Sequence, residues 1–154
     1  MWPFQSKTLT HDSFPVDKYE LDAPLEKTAD LVEFSNHEYE IMGRQFEGEY
    51  NYNALPVNLL GHLWKLQLGT VNNKIYKIAA YLELATKQET NPIAMEILKC
   101  CIEKLGKPSS QKTGLFIWDT TDGNTILQTA ETAEGLSINL FLTSNSVRSF
   151  KRRS

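Results

Sequence analysis

Arginine is scarce in this chain of 154 residues. There are four, Arg44, Arg148, Arg152 and Arg153, and three of them fall in the last seven residues. Guanidinium groups are the preferred bidentate partners of phosphates and carboxylates, so a body owning one of them is poorly equipped for a polyanion site. The formal charge is −3, from 16 Lys and Arg against 19 Asp and Glu. Free-standing nucleic-acid binders are usually basic, so no nucleic-acid partner is expected. Cysteine is nearly absent: Cys100 and Cys101 are adjacent and make no secreted disulfide framework. No run approaches the ~18 apolar residues of a membrane span, and the start Met1-Trp2-Pro3-Phe4-Gln5-Ser6-Lys7 lacks a basic n-region followed by an apolar stretch. A cytoplasmic protein without a membrane partner is the expectation.

Catalytic motifs are missing too. The sequence has no Gly-x-Ser-x-Gly elbow, no phosphate-binding glycine loop and no His-Glu-x-x-His. His11, His37 and His62 stand at no metal-ligating spacing. Asp119-Thr120-Thr121-Asp122-Gly123-Asn124 lacks the alternating acids and the downstream Glu of a calcium loop, and reads as a hairpin turn. Cys100 and Cys101 fall inside an apolar helix pattern, where thiols are generally inert. No catalytic residue, metal or cofactor is therefore assigned.

What is present is ordinary globular composition, 41% hydrophobic and 23% charged. A chain of this length builds one domain with its own core. Residues 1–20 carry no sustained period and read as a loosely ordered arm, 21–147 as a single domain, and 148–154 as a basic tail. Asp22-Ala23-Pro24 resembles a helix start and predicts a short helix over about 23–35. Asn91 and Pro92 before an apolar stripe (Ala94, Leu98, Cys101, Leu105), with Gly106 and Pro108 after it, predict a long helix over about 92–105.

The remainder alternates with period two. Trp64, Leu66 and Leu68 alternate with Lys65 and Gln67, and Tyr76, Ile78, Ala80 and Leu82 with Lys77, Ala79 and Tyr81. Asn72-Asn73 lies between these two runs. A two-residue loop pairing Val71 with Lys74 would split the apolar sets. Opposing Leu68 to Ile78 and Leu66 to Ala80 keeps them together, which predicts a three-residue loop with a left-handed residue at Asn73 or Lys74, or a bulge nearby. Asp122-Gly123 predicts a type I′ hairpin, and 132–135 a further turn. The expected fold is α+β: a mainly antiparallel sheet of five to seven strands with the long helix on one face. The other face is partly polar and leaves room for a partner or for the N-terminal arm.

Two functional expectations follow. The stretch 38–53 places Glu38, Glu40, Glu47 and Glu49 among Tyr39, Tyr50 and Tyr52. On strands, its acids would face solvent, forming an acidic, Tyr-bearing surface of Glu38, Glu40, Glu47, Glu49, Tyr50 and Tyr52 for a basic protein partner. That describes a non-enzymatic binding module, inhibitor-like or adaptor-like. The alternative is a small-molecule-binding protein or unfamiliar enzyme with a pocket between sheet and helix, walled by Trp64, Tyr76, Tyr81, Trp118 and His62.

Overall fold

The computed structural model describes residues 13–33, 45–84, 87–132 and 135–152. Among them are strands β1 (Val32–Glu33), β2 (Glu49–Leu59), β3 (His62–Val71) and β4 (Lys74–Leu84), helix α1 (Lys87–Leu105), and strands β5 (Ser110–Lys112), β6 (Leu115–Asp119), β7 (Gly123–Thr132) and β8 (Gly135–Ser144). A 3-10 turn, Asn145–Ser149, follows β8. The strands form one antiparallel sheet in the order β1-β2-β3-β4-β8-β7-β6-β5. Two four-stranded meanders thus meet at a β4–β8 seam, and α1 carries the chain from the seam to the far edge. Eight strands exceed the expected five to seven, because β1 and β5 are edge strands of two and three residues whose sequence carries little period-two signal.

The β3–β4 hairpin resolves the conflict between turn and pattern. Its loop has two residues, with Asn72 (φ 55°) and Asn73 (φ 61°) both left-handed and Val71 opposite Lys74. A three-residue loop is therefore not used. A bulge corrects the register instead: Thr70 pairs with Ile75 but Gly69 with Lys77, leaving Tyr76 extra. Beyond it Leu68 faces Ile78 and Leu66 faces Ala80, as the hydrophobic pattern requires.

Two other expectations are corrected. Of the helix expected over about 23–35, residues 23–33 form no helix, and 34 and 35 lie outside the described residues. Asp22 is left-handed (φ 69°), its N–H donates to Ile75 O, and Leu25 N–H donates to Asn73 O, so the segment pairs with the β3–β4 hairpin as an isolated bridge. Long-range backbone pairing outweighs the local cap signal here. At the β6–β7 connection the loop residues are Thr121 and Asp122, between mutually hydrogen-bonded Thr120 and Gly123, and neither has positive φ. This is not a type I′ Asp-Gly turn. Gly123 is a strand residue opposite Ser144, and a Cβ there would collide with the Thr143 carbonyl oxygen.

Helix α1 begins five residues earlier than expected and carries Pro92 inside it. It ends as expected, at left-handed Gly106 (φ 83°), whose N–H donates to Ile102 O. Ile97, Cys101 and Leu105, spaced by four, are its buried line and enter the core with Trp64, Leu66, Leu68, Ile78, Leu140 and neighbouring sheet residues. The Trp64 indole donates to Leu59 O (2.8 Å) and the Trp118 indole to Gly106 O (2.8 Å).

Of the segment expected to be a loose arm, residues 13–20 are described and contribute to the same core. Val16 is wholly buried, and Tyr19 and Leu25 join it. Ser13 is held by Asp122, its hydroxyl donating at 2.6 Å and its N–H at 3.1 Å. The Ser144 hydroxyl meets the Asp22 carboxylate at 2.6 Å. Among the described residues, no helix is long and apolar enough to cross a membrane.

Candidate functional site

Strand parity assigns every sheet residue to one of two faces. Trp64, Leu66, Leu68, Ile78, Ala80, Ile138, Leu140 and Leu127 share the face that packs on α1 and on the 13–25 segment. The opposite face follows from the same registers. Asn53 opposes Gln67, Gln67 opposes Ala79, Ala79 opposes Phe141, Phe141 opposes Ile126, and Ile126 opposes Ile117. One step further along the strands come Lys65, Tyr81, Asn139, Gln128 and Leu115. Phe141, Ile126, Ile117, Leu115 and Tyr81 are half-buried and belong to neither hydrophobic cluster. Leu63, at the end of this face, is 59% exposed, and Val32, opposite Asn53 at its edge, is 56% exposed.

One end of this face is closed by the C-terminal segment. Phe150 and Val147 pack with Phe46, Val71 and Tyr76 into a second cluster. The rings of Phe46, Tyr76 and Phe150 meet edge-to-face at 5.3 to 5.7 Å. Glu47 N–H donates to Lys151 O, Arg152 bridges to Phe46, and the Arg152 guanidinium lies 5.5 Å from the Phe46 ring centroid. The expected basic tail is therefore anchored through residue 152, as a strap across the start of β2 and the bulge of β4.

Beneath the strap lies a buried ion pair. Lys77 Nζ sits 2.7 Å from Glu49 Oε2, with the Glu49 side chain fully inaccessible. The pair reaches from β4 to β2 across β3, and Gly69 makes this possible. A Cβ at that position would lie 2.6 Å from Lys77 Cγ and 2.8 Å from Asn51 Oδ1, so the Lys77 stem occupies the space that a side chain would take. Glu49 Oε1 accepts from Gln45 N–H (2.7 Å) and Phe46 N–H (3.1 Å). Burial alone would push the Glu49 carboxyl up. Hydrogen bonds from Lys77, Gln45 N–H and Tyr76, with the Lys77 charge, outweigh it and hold the group below its ordinary 4.5. The arrangement fastens the strap's partner segment to the sheet, and its carboxylate is closed to solvent.

Of the acidic surface expected from the sequence, four residues, Glu47, Glu49, Tyr50 and Tyr52, are described. Glu38 and Glu40 lie outside the described residues. Glu49 and Tyr52 are buried, Tyr52 on the helix-side face. Glu47 and Tyr50 remain exposed, Glu47 in a loose surface pair with Lys151 at 3.7 Å. The expected pocket walls do not converge either. Trp64 and Trp118 are core residues, Tyr76 lies under the strap, Tyr81 is on the open face with Lys65 5.5 Å from its ring centroid, and His62 is half-buried at the start of β3. Among the described residues, Ile97, Cys101 and Leu105 of α1 pack with the sheet in one cluster. A hollow of about 280 Å³ lies elsewhere, lined by the N-terminal segment (Lys18, Tyr19, Leu25, Thr28 and neighbours) and Ile75. Among the described residues, no three His, Cys, Asp or Glu side chains group as a metal site.

Sequence reasoning passed over Ile117, Ile126 and Phe141. A signal for them exists. Leu115-Phe116-Ile117-Trp118 is apolar at both parities, and Phe141 stands in the polar register of β8, between Asn139 and Thr143. A strand apolar on both sides has two faces to cover. Comparison with models of known protein families, with curated proteins and with solved structures finds no match.

Proposed function

We propose that this chain is a non-enzymatic protein-binding module that docks through the sheet face opposite α1. The observation that supports it is the contiguous neutral and apolar surface around Phe141, Ile126, Ile117 and Tyr81, which joins neither core cluster. Contiguous exposed apolar patches on small proteins mark interaction sites. Among the described residues, the N-terminal segment packs on the helix side through Val16, Tyr19 and Leu25. Docking shifts accordingly from the acidic 38–52 stretch to the sheet.

Affinity capture with the immobilised chain, across a salt series, tests this. A specific partner should be retained as salt rises, because a neutral apolar contact is little screened, and lost on Phe141→Asp. Binding that collapses with salt and ignores Phe141→Asp would return the site to the acidic stretch.

A further inference from the structure

We propose that the charged Glu49 carboxylate is the latch of the C-terminal strap: while it is ionised the strap stays docked, and its protonation frees the chain beyond Ser146 while the sheet remains folded. The strap is tied to the sheet at its start, where Asn145 N–H donates to Asp122 O and Ser146 N–H to the Ser144 hydroxyl. Further along, among the described residues, Phe150 meets the rings of Phe46 and Tyr76. Lys151 O accepts from Glu47 N–H, its ammonium pairs loosely with the Glu47 carboxylate, and Arg152 bridges to Phe46. Apart from the Tyr76 ring, all of these contacts fall on Phe46 and Glu47.

Phe46 and Glu47 belong to a tight turn that Glu49 closes. Gln45 N–H and Phe46 N–H both donate to Oε1, Glu49 N–H donates back to Phe46 O, and Gly48 between them is left-handed (φ 75°). Lys77 Nζ holds Oε2 at 2.7 Å. One carboxylate therefore joins turn, strap and β4. Hydrogen bonds to a charged acceptor are about twice as strong as neutral ones, so adding a proton weakens every tie at once and leaves Lys77 buried without its counterion. Among the described residues, Lys77 and Tyr76 face Glu49 from β4, while the strap's own cations lie against Glu47 (Lys151) and Phe46 (Arg152). The aromatic cluster under the strap is separate from the core around Trp64 and Leu140, so it can open as a local unit. Burial raises the Glu49 carboxyl, yet its hydrogen bonds and the Lys77 charge bring it below 4.5 when the strap is docked. Docking is then fully favoured above about pH 4.5 and lost as pH falls through the docked value. By reciprocity, freeing the strap moves the Glu49 carboxyl upward.

Amide hydrogen exchange of the full chain, read residue by residue by NMR across a pH series and corrected for intrinsic rates, tests the coupling. Protection of Glu47 N–H, which bonds to Lys151 O, should fall at least about tenfold on acidification while the β4–β8 seam keeps its protection. Glu49→Gln should free the strap at neutral pH, so that trypsin cuts after exposed Arg148 and Lys151 at least about tenfold faster than in wild type. Phe150→Ala releases the strap without touching Glu49, and carries the test if Glu49→Gln folds poorly. It should speed the same cleavages and raise the Glu49 titration followed by carboxyl carbon NMR. Strap and seam losing protection together on acidification overturns the proposal. So does a folded Glu49→Gln variant cleaved at the wild-type rate, or a Glu49 titration unmoved by Phe150→Ala.

Discussion

Replacing Lys77 with methionine separates charge from packing at the buried pair. The methionine keeps an unbranched stem over Gly69 and deletes only the ammonium, 2.7 Å from Glu49 Oε2. Removing one partner of a buried pair costs about 3–5 kcal/mol, because the remaining charge loses its counterion. Glu49 would keep the N–H donors of Gln45 and Phe46 and its bond from Tyr76, so the lower end, about 3 kcal/mol, is expected. Glu49→Gln should also destabilise, by stranding the lysine. The Glu49→Gln/Lys77→Met double variant should lose less than the sum of the two, by at least about 1 kcal/mol, since neither charge is then left alone. Urea unfolding at neutral pH, with midpoint and slope both fitted, measures all three. A loss below about 1 kcal/mol for Lys77→Met, or strict additivity in the cycle, would refute the view that this pair fastens the 45–49 segment to the sheet.

Trp64→Ala should cost about 3–5 kcal/mol, because the ring is wholly buried and its N–H is satisfied; a change under about 1 kcal/mol would contradict its place in the core. Acid should weaken the fold through Glu49 and Asp122. Burial pushes Asp122 up, but the Ser13 and Thr120 hydroxyls and Ser13 N–H hold it below its ordinary 3.8. Both carboxyls thus have folded values under their unfolded ones, so their contribution is complete above about pH 4.5 and is lost as pH falls through the folded values. Asp122→Asn should flatten that acid limb in urea midpoints taken across pH, and an unchanged limb would speak against the Ser13–Asp122 contact. Burial, followed by the neighbouring Cys100, pushes the Cys101 thiol up to about 12, so it should react with a water-soluble thiol reagent only after unfolding, and rapid native labelling at neutral pH would refute its burial. Gly123→Ala should destabilise by more than 2 kcal/mol, since a Cβ there meets backbone rather than a movable side chain; thermal unfolding reads it.

What was legible in the sequence followed hydrophobic period. The pairing of Leu66 with Ala80 and Leu68 with Ile78, and the stop of α1 at Gly106, rest on local patterns that the fold obeys. Where two local signals disagreed, at Asn72-Asn73, both were honoured and a bulge absorbed the difference. The failures are long-range. Asp22 and Pro24 carry a helix-start signal, yet their neighbours bond to Ile75 and Asn73, some fifty residues away. Glu49 reads as a solvent-facing acid because nothing local announces Lys77 two strands over, or that Gly69 clears the path between them. The site was half legible: a second, partly polar sheet face was foreseen, whereas the side chains that dominate it lie on strands adjacent only after folding.

The seam between the two meanders has a kinetic consequence. Hairpins β2–β3, β3–β4, β6–β7 and β7–β8 each close short loops, but β4 and β8 join residues roughly 50–65 positions apart, from Leu84 with Leu136 to Lys77 with Thr143. Most of the loop-closure entropy in folding therefore falls on that single zipper. Substitutions along it, such as Ala79 or Asn139, should act on the folding arm of a chevron plot, while those at the outer strands β1 and β5 should chiefly speed unfolding. Until the zipper closes, β4 and β8 each present a free backbone edge in the middle of what becomes the sheet, so the interval before closure is when this chain is most exposed to aggregation with its own copies.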